Sequence, residues 1–329
     1  MESLMGITLP EFVNEYLDSL VKKNRKPATI KRYRYDLEDF FLWLRTEKND
    51  QSFSIWSNLK TTDIEKYIFL LTDTRNYHPR TTKRIITVLN QLYKYYDNLG
   101  LSQNPISKIA KIEMDEPTMI ATDFLTSTEI NKLFLSIASS DGLSENQLKT
   151  RHFIVNRNEA IIILFLYYGL TLQEVTNIVM TDVHFETSTL NVSGSEKSRS
   201  IKLSIEHKQL LYKYYQVIPE PVRPSYHQND PFFVAFDFQR GTYRWIYDTN
   251  KPKSLTNIAV QRMIQKEIRR GKLRKQISPQ HFRNTFILSK IKEGRSMLRL
   301  KELSGLKTEL SLKKYFQYAT LTIKDLELE

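Results

Sequence analysis

The 329-residue chain contains no cysteine. Disulfides, thiolate nucleophiles, zinc ribbons and cysteine-ligated iron–sulfur clusters are therefore excluded together, and a reducing compartment is expected. No basic stretch leads into an apolar segment after Met1, so no signal peptide is visible. The longest apolar run, Ala160 to Leu166, reaches Leu170 only through two tyrosines and a glycine. That falls short of the roughly 20 residues a membrane span needs. The expectation is a soluble protein of the cytoplasm with no membrane partner. There is also no internal repeat and no low-complexity tract.

What the chain does contain is ordinary apolar content and an excess of positive charge. Hydrophobic residues make up 40% and aromatics 12%, enough for a packed core and against wholesale disorder. The length favours two domains, since single cores stop growing at roughly 250–300 residues. With 49 Lys+Arg against 37 Asp+Glu the formal charge is +12, which points to a polyanionic partner, nucleic acid first and an anionic membrane surface second.

The first 112 residues read as four helices. Thr8 and Glu11 have capping-box spacing, with Phe12, Tyr16, Leu17 and Leu20 following at helical intervals. Ala28 to Arg45 carries a second apolar stripe, Thr62 to Glu65 opens a third helix, and Pro79 starts a fourth. Residues 113–124 break the periodicity and read as a linker. Thr126 and Glu129 then form another capping box, opening a mostly helical region at 125–329. Inside it, Thr189 to Val192 and Ser200 to Leu203 alternate around a basic turn and read as a hairpin. Phe232 to Phe236 reads as either a strand or a buried turn. Ser278-Pro279 caps a helix carrying Phe282 and Phe286.

Basic residues gather in clusters. Lys22, Lys23, Arg25 and Lys26 run into Lys31, Arg32 and Arg34; Arg80, Lys83 and Arg84 follow. A third cluster comprises Arg262, Lys266, Arg269, Arg270, Lys272, Arg274 and Lys275. Such faces neutralise phosphates and release counterions, although a solvated helix face gives the same pattern. The expected DNA contacts are Lys22, Lys23, Arg25, Lys26, Lys31, Arg34, Arg80, Lys83, Arg84, Lys197, Arg199, Arg269, Arg270, Lys272 and Arg283.

Three segments carry a family resemblance. Gly169-Leu170-Thr171-Leu172-Gln173-Glu174-Val175 resembles the first signature box of tyrosine recombinases (phage integrases), which reads Gly-Leu-Arg with a Glu three residues later. Ser278-Pro279-Gln280-His281-Phe282-Arg283-Asn284-Thr285-Phe286 resembles the second, and Ser304-Gly305-Leu306, with Tyr315 following, resembles the last. The resemblance covers essentially the whole chain. It implies a mainly α fold with a small β-hairpin insertion, built as a helical core-binding domain plus a recombinase-type catalytic domain. It further implies a metal-free and cofactor-free reaction in which a tyrosine attacks a DNA phosphodiester, two guanidiniums cradle the phosphate, and a hairpin lysine protonates the departing 5′ oxygen.

Against that pattern the chain keeps Lys197, Arg283 and Tyr315. It places Thr171 where the first-box Arg belongs, Gln280 where the second-box His belongs, and Leu306 where the last-box His or Trp belongs. Loss of one preorganised donor costs roughly 10²–10³ in rate. The expectation drawn from this is a fold without strand-cleavage activity, and so not an enzyme. The chain would then act on double-stranded DNA as a sequence-specific transcriptional regulator, similar to the recombinase-fold master repressors that maintain lysogeny in SP-beta-type prophages. The alternative is an active or weakly active recombinase using Tyr315; a third reading is a DNA-bending accessory protein. Self-association on DNA through the C-terminal tail, and an antagonist or accessory protein, complete the expected partners in a bacterial, nucleoid-associated setting.

Overall fold

The computed structural model describes residues 8–109, 118–193 and 198–327. Residues 113–117 of the expected linker, and Lys197, lie outside them. The chain divides into two compact units, Met1–Pro117 and Thr118–Glu329.

The first unit holds α1 (Glu11–Lys22), α2 (Pro27–Lys48), α3 (Phe53–Ser57), α4 (Thr61–Phe69) and α5 (Pro79–Asp97), with a wide π-type turn at Leu70–Thr74. Two sequence expectations are corrected here. Thr8 does not cap α1; Pro10 does, and Asn14 donates its side-chain amide back to the Leu9 and Pro10 carbonyls. Four helices become five, because Ser52 caps the short α3 by accepting from the Ile55 amide. That extra helix delivers Trp56, fully buried and stacked on Tyr93 at 4.3 Å. The Tyr93 hydroxyl donates to the Trp56 carbonyl and that of Tyr96 to the Phe12 carbonyl, so both phenols are buried without losing their partners.

The second unit is built on α7 (Glu145–Tyr168), preceded by α6 (Ser127–Ala138) and followed by α8 (Leu172–Thr176). Residues Ala160 to Leu166 are all buried, which is why their apolarity has no amphipathic period: neighbours cover the helix on every side. Next come β1 (Val183–His184), β2 (Thr189–Ser193) and β3 (Ser198–Lys202), an antiparallel sheet in that order. Its register sets Leu190 opposite Ile201 and Val192 opposite Arg199.

After α9 (Ile205–Val217), the Phe232 segment turns out to be mostly buried irregular chain, only Phe236 entering a strand. Two small hairpins follow, β4 (Phe236–Asp237) with β5 (Thr242–Tyr243) and β6 (Trp245–Ile246) with β7 (Lys251–Pro252). Then α10 (Asn257–Arg270), α11 (Pro279–Lys292), α12 (Met297–Ser304) and α13 (Lys313–Glu327) complete the chain. No helix among the described residues is long and apolar enough to cross a membrane.

Candidate phosphate-binding site

Three segments of the second unit, the start of α8, β3 and α11, converge on one carboxylate. Thr171 begins α8, its hydroxyl accepting from the Glu174 amide at 3.2 Å while its own amide donates to Glu174 Oε2 at 2.7 Å. This capping box turns the Glu174 side chain back along the helix start. There it meets Arg199 from β3, with Nη1 to Oε1 at 2.5 Å and Nη2 to Oε2 at 3.1 Å. Arg283 of α11 approaches the same carboxylate, Nη1 lying 3.9 Å from Oε2. Burial alone would raise the Glu174 carboxyl; the Arg199 hydrogen bond and charge, the Thr171 amide and the Arg283 charge outweigh it and hold the group below its ordinary value.

Backbone geometry fixes both guanidiniums. Gly169 ends α7 in the left-handed region at φ +64°, where an added Cβ would enter the Phe286 ring. Its carbonyl accepts from Arg283 Nη1, and the Ser304 carbonyl accepts from Nη2 at 2.6 Å. Gly305, at φ +62°, lets the end of α12 lie directly on the Arg199 Nη1 atom. Burial lowers the Arg283 pKa, Glu174 opposes that, and the like charge of Arg199 lowers it further.

Tyr315 stands beside this cluster on α13. Its hydroxyl donates to Asn284 Oδ1 at 2.7 Å, an atom that also accepts from Gln280 Nε2 at 2.7 Å, while Asn284 Nδ2 donates to the Asp123 carbonyl at 3.0 Å. The phenol is buried, which raises its pKa, with Arg283 pulling the other way. Leu306 packs with the apolar group around Phe286 and Leu312. His281 is not poised toward a phosphate: its Nδ1 accepts from the Ser278 amide as the third residue of that cap, and burial, then Arg274, depress its pKa.

The basic clusters separate on inspection. Lys22, Lys23, Arg25, Lys26, Lys31, Arg80, Lys83, Arg269 and Lys272 are exposed. Arg34 and Arg84 are half-buried and donate to Asn14 and Asp36 respectively. Two expected surface contacts are corrected. Arg270 spends its guanidinium on Glu267 and on the Asp141 and Ser139 carbonyls, and Arg283 is buried, its guanidinium held by the Gly169 and Ser304 carbonyls. Sequence reasoning quoted Glu174 without a role and assigned none to Asn284 or Gly305. The Thr-x-x-Glu spacing was the visible signal for the first; nothing local marked the other two. No cluster of three or more potential metal ligands occurs among the described residues.

A family model described as phage integrase, N-terminal SAM-like domain, matches residues 13–97. The chain is similar to tyrosine recombinase XerC of Anoxybacillus flavithermus, 26% identical over 305 residues, covering 92% of this chain and 89% of that one. It is also similar to a tyrosine recombinase of Agathobacter rectalis, 25% identical over 300 residues, covering 90% and 88%. Among solved structures, XerH site-specific recombinase bound to palindromic difH substrate superposes with a TM-score of 0.67 at 17% identity, covering 94% of this chain and 83% of that one. A lambda integrase dimer bound to a COC' core site gives 0.62 at 14%, covering 94% and 95%. These likenesses support the tyrosine recombinase family, and the structural ones show the mainly helical two-part fold that the sequence predicts. They also overturn one expectation. The expectation that the chain is not an enzyme is set aside, because relatives matching about nine-tenths of it are named as tyrosine recombinases. Two guanidiniums, Arg199 and Arg283, meet at Glu174 where the motif positions supplied one.

Proposed function

We propose that this chain binds a specific double-stranded DNA sequence and transfers a strand through Tyr315. The observation carrying this is the meeting of Arg199 and Arg283 at Glu174, with Tyr315 near enough to Arg283 to feel its charge, inside a fold shared with recombinases that are bound to DNA. In the reaction the Tyr315 oxygen bonds to a backbone phosphorus, the bond to the 5′ oxygen breaks, and a 3′-phosphotyrosyl link stores the energy for rejoining. The tyrosine proton leaves as the new bond forms, and the departing oxygen takes a proton, which Lys197 would supply.

Arg283 is buried and pinned by two carbonyls, so its orientation is set before the phosphate arrives. Tyr315, hydrogen-bonded to Asn284 in the resting chain, must give up that bond to attack. The exposed Lys22, Lys23, Lys26, Arg80 and Lys83 of the first unit, and Arg269 and Lys272 of the second, supply phosphate contacts that position the duplex.

A second reading, transcriptional control by operator occupancy as in the lysogeny repressors this sequence resembles, is favoured by Thr171, Gln280 and Leu306, three positions where the resemblance expects stronger donors. Selection of bound duplexes from a random pool, followed by incubation of paired selected sites, separates the two. Exchange between paired sites supports the first reading; occupancy of dispersed single sites with transcriptional repression and no exchange supports the second.

A further inference from the structure

We infer that Arg199 is the second guanidinium of the phosphate site, taking over from a different secondary-structure element the place that Thr171 leaves without charge. The inference rests on the reading that this pocket receives a DNA phosphodiester.

Four observations carry it. Thr171 is committed to capping: both its hydroxyl and its amide are spent on Glu174, and its side chain is too short to reach past that carboxylate. Arg199 instead comes from β3 and grips Glu174 through both terminal nitrogens, bringing a second fork to the carboxylate that Arg283 already approaches. Its remaining donor, Nε, is buried with no hydrogen-bond partner. A buried donor without an acceptor is costly, and in a cationic pocket an anionic oxygen is the acceptor that would satisfy it. Finally, Gly305 is the residue that makes the room, because any side chain there would strike Arg199 Nη1.

Charge counting agrees. Arg283 and Glu174 alone form a neutral pair with no net attraction for a phosphodiester. With Arg199 the trio carries a net charge of +1, and the excess grows in value as negative charge builds on the phosphorus oxygens. A planar guanidinium presents its donors to a carboxylate and a phosphate in fixed directions, which lysine's rotating ammonium does not.

The test uses the full chain and the duplex obtained by selection, prepared as a set in which each backbone phosphate in turn is a neutral methylphosphonate. Wild type is expected to lose affinity roughly ten- to a hundredfold at one position of the scan, the worth of a charge-assisted hydrogen bond. Arg199→Gln is expected to bind the natural duplex more weakly by the same factor and to show no discrimination at that position. Arg199→Lys should recover part of the loss, and Thr171→Arg on the Arg199→Gln background more. If Arg199→Gln unfolds the unit by stranding Glu174, Arg199→Lys keeps the charge balance but not the fork, and is expected to bind the natural duplex more weakly than wild type and to discriminate less at that position.

A variant lacking Arg199 that discriminates along the scan as wild type does overturns the inference, whether or not strands are transferred. The strand-transfer reading is judged separately, on a duplex nicked beside the scanned position. A Tyr315 adduct whose formation is unaffected by Arg199→Gln leaves that reading intact and removes the inference. Arg199-dependent discrimination with no adduct keeps the anion site and removes the reading. An adduct slowed roughly 10²–10³-fold by Arg199→Gln supports both.

Discussion

Arg199 and Glu174 face each other as a two-point fork, each side chain about nine-tenths buried, at 2.5 and 3.1 Å. Twenty-five residues apart in sequence, they join the β-sheet to the start of α8, and Arg283 adds α11 to the same carboxylate. A buried carboxylate between two guanidiniums is a strong constraint, since removing either partner strands charge in a poorly solvated place.

Glu174→Gln is expected to destabilise the second unit by about 3–5 kcal/mol, the usual cost of breaking a buried pair. The acid response has a definite sign. Because the folded protein holds this carboxyl below its ordinary value of 4.5, its contribution is complete above that pH and is lost as pH falls through the lower folded value. His207 and His281 are also depressed, each chiefly by burial, from 6.5. Their contribution is complete above pH 6.5 and begins to fade below it. Denaturant midpoints followed from pH 7 to 3 should therefore fall in two stages, and the lower stage should shrink in Glu174→Gln.

Gly305→Ala should cost about 1–2 kcal/mol for placing a side chain in left-handed backbone, and more because the new methyl meets Arg199. The two costs separate in a double-mutant cycle. Combined with Arg199→Ala, the alanine at 305 should retain only the backbone cost, measured by chemical denaturation. Full additivity would place Arg199 elsewhere.

Asn284→Ala removes the acceptor that holds the Tyr315 hydroxyl and the donor to the Asp123 carbonyl. A loss of about 1–3 kcal/mol is expected from the groups left unpaired. The same change frees the phenol, so adduct formation with a nicked duplex should become faster at temperatures where the variant is folded. A slower reaction would mean that Asn284 helps the attack rather than restraining it.

The exposed basic residues set the salt dependence. A plot of log K against log[salt] should fall steeply, and neutralising Lys22 or Lys83 singly should reduce the slope by about one while weakening binding alike on all sequences. Arg270→Gln should leave the slope unchanged and lower stability instead, since that guanidinium is committed to Glu267 and two carbonyls.

Local signals made much of this legible. The Thr126 capping pattern, the Ser278-Pro279 start and the alternation around the hairpin all specify backbone through neighbouring residues, and the structure places helices and strands there. The pairing of Arg199 with Glu174 was not legible, because a side chain crossing from a strand to a helix leaves no periodic trace. Counting guanidiniums by motif position therefore found one where the fold assembles two. Arg270 misled in the opposite direction. It sits on a face with other basic residues, yet Glu267, three positions earlier, turns inward to meet Arg151 and takes Arg270 with it. Thr8 looked like a cap because Glu11 follows at the right interval, but Pro10 sets the helix start two residues later.

The central claim is strand transfer by Tyr315, and covalent trapping tests it most directly. The full chain is incubated with selected duplexes nicked at successive positions, then denatured and resolved by mass. The account predicts a protein–DNA adduct that survives denaturation, maps to Tyr315 by peptide mass, and disappears in Tyr315→Phe, a variant that still binds the duplex. Tight binding to the same duplexes without any adduct at saturating DNA, or an adduct that persists in Tyr315→Phe, would contradict it.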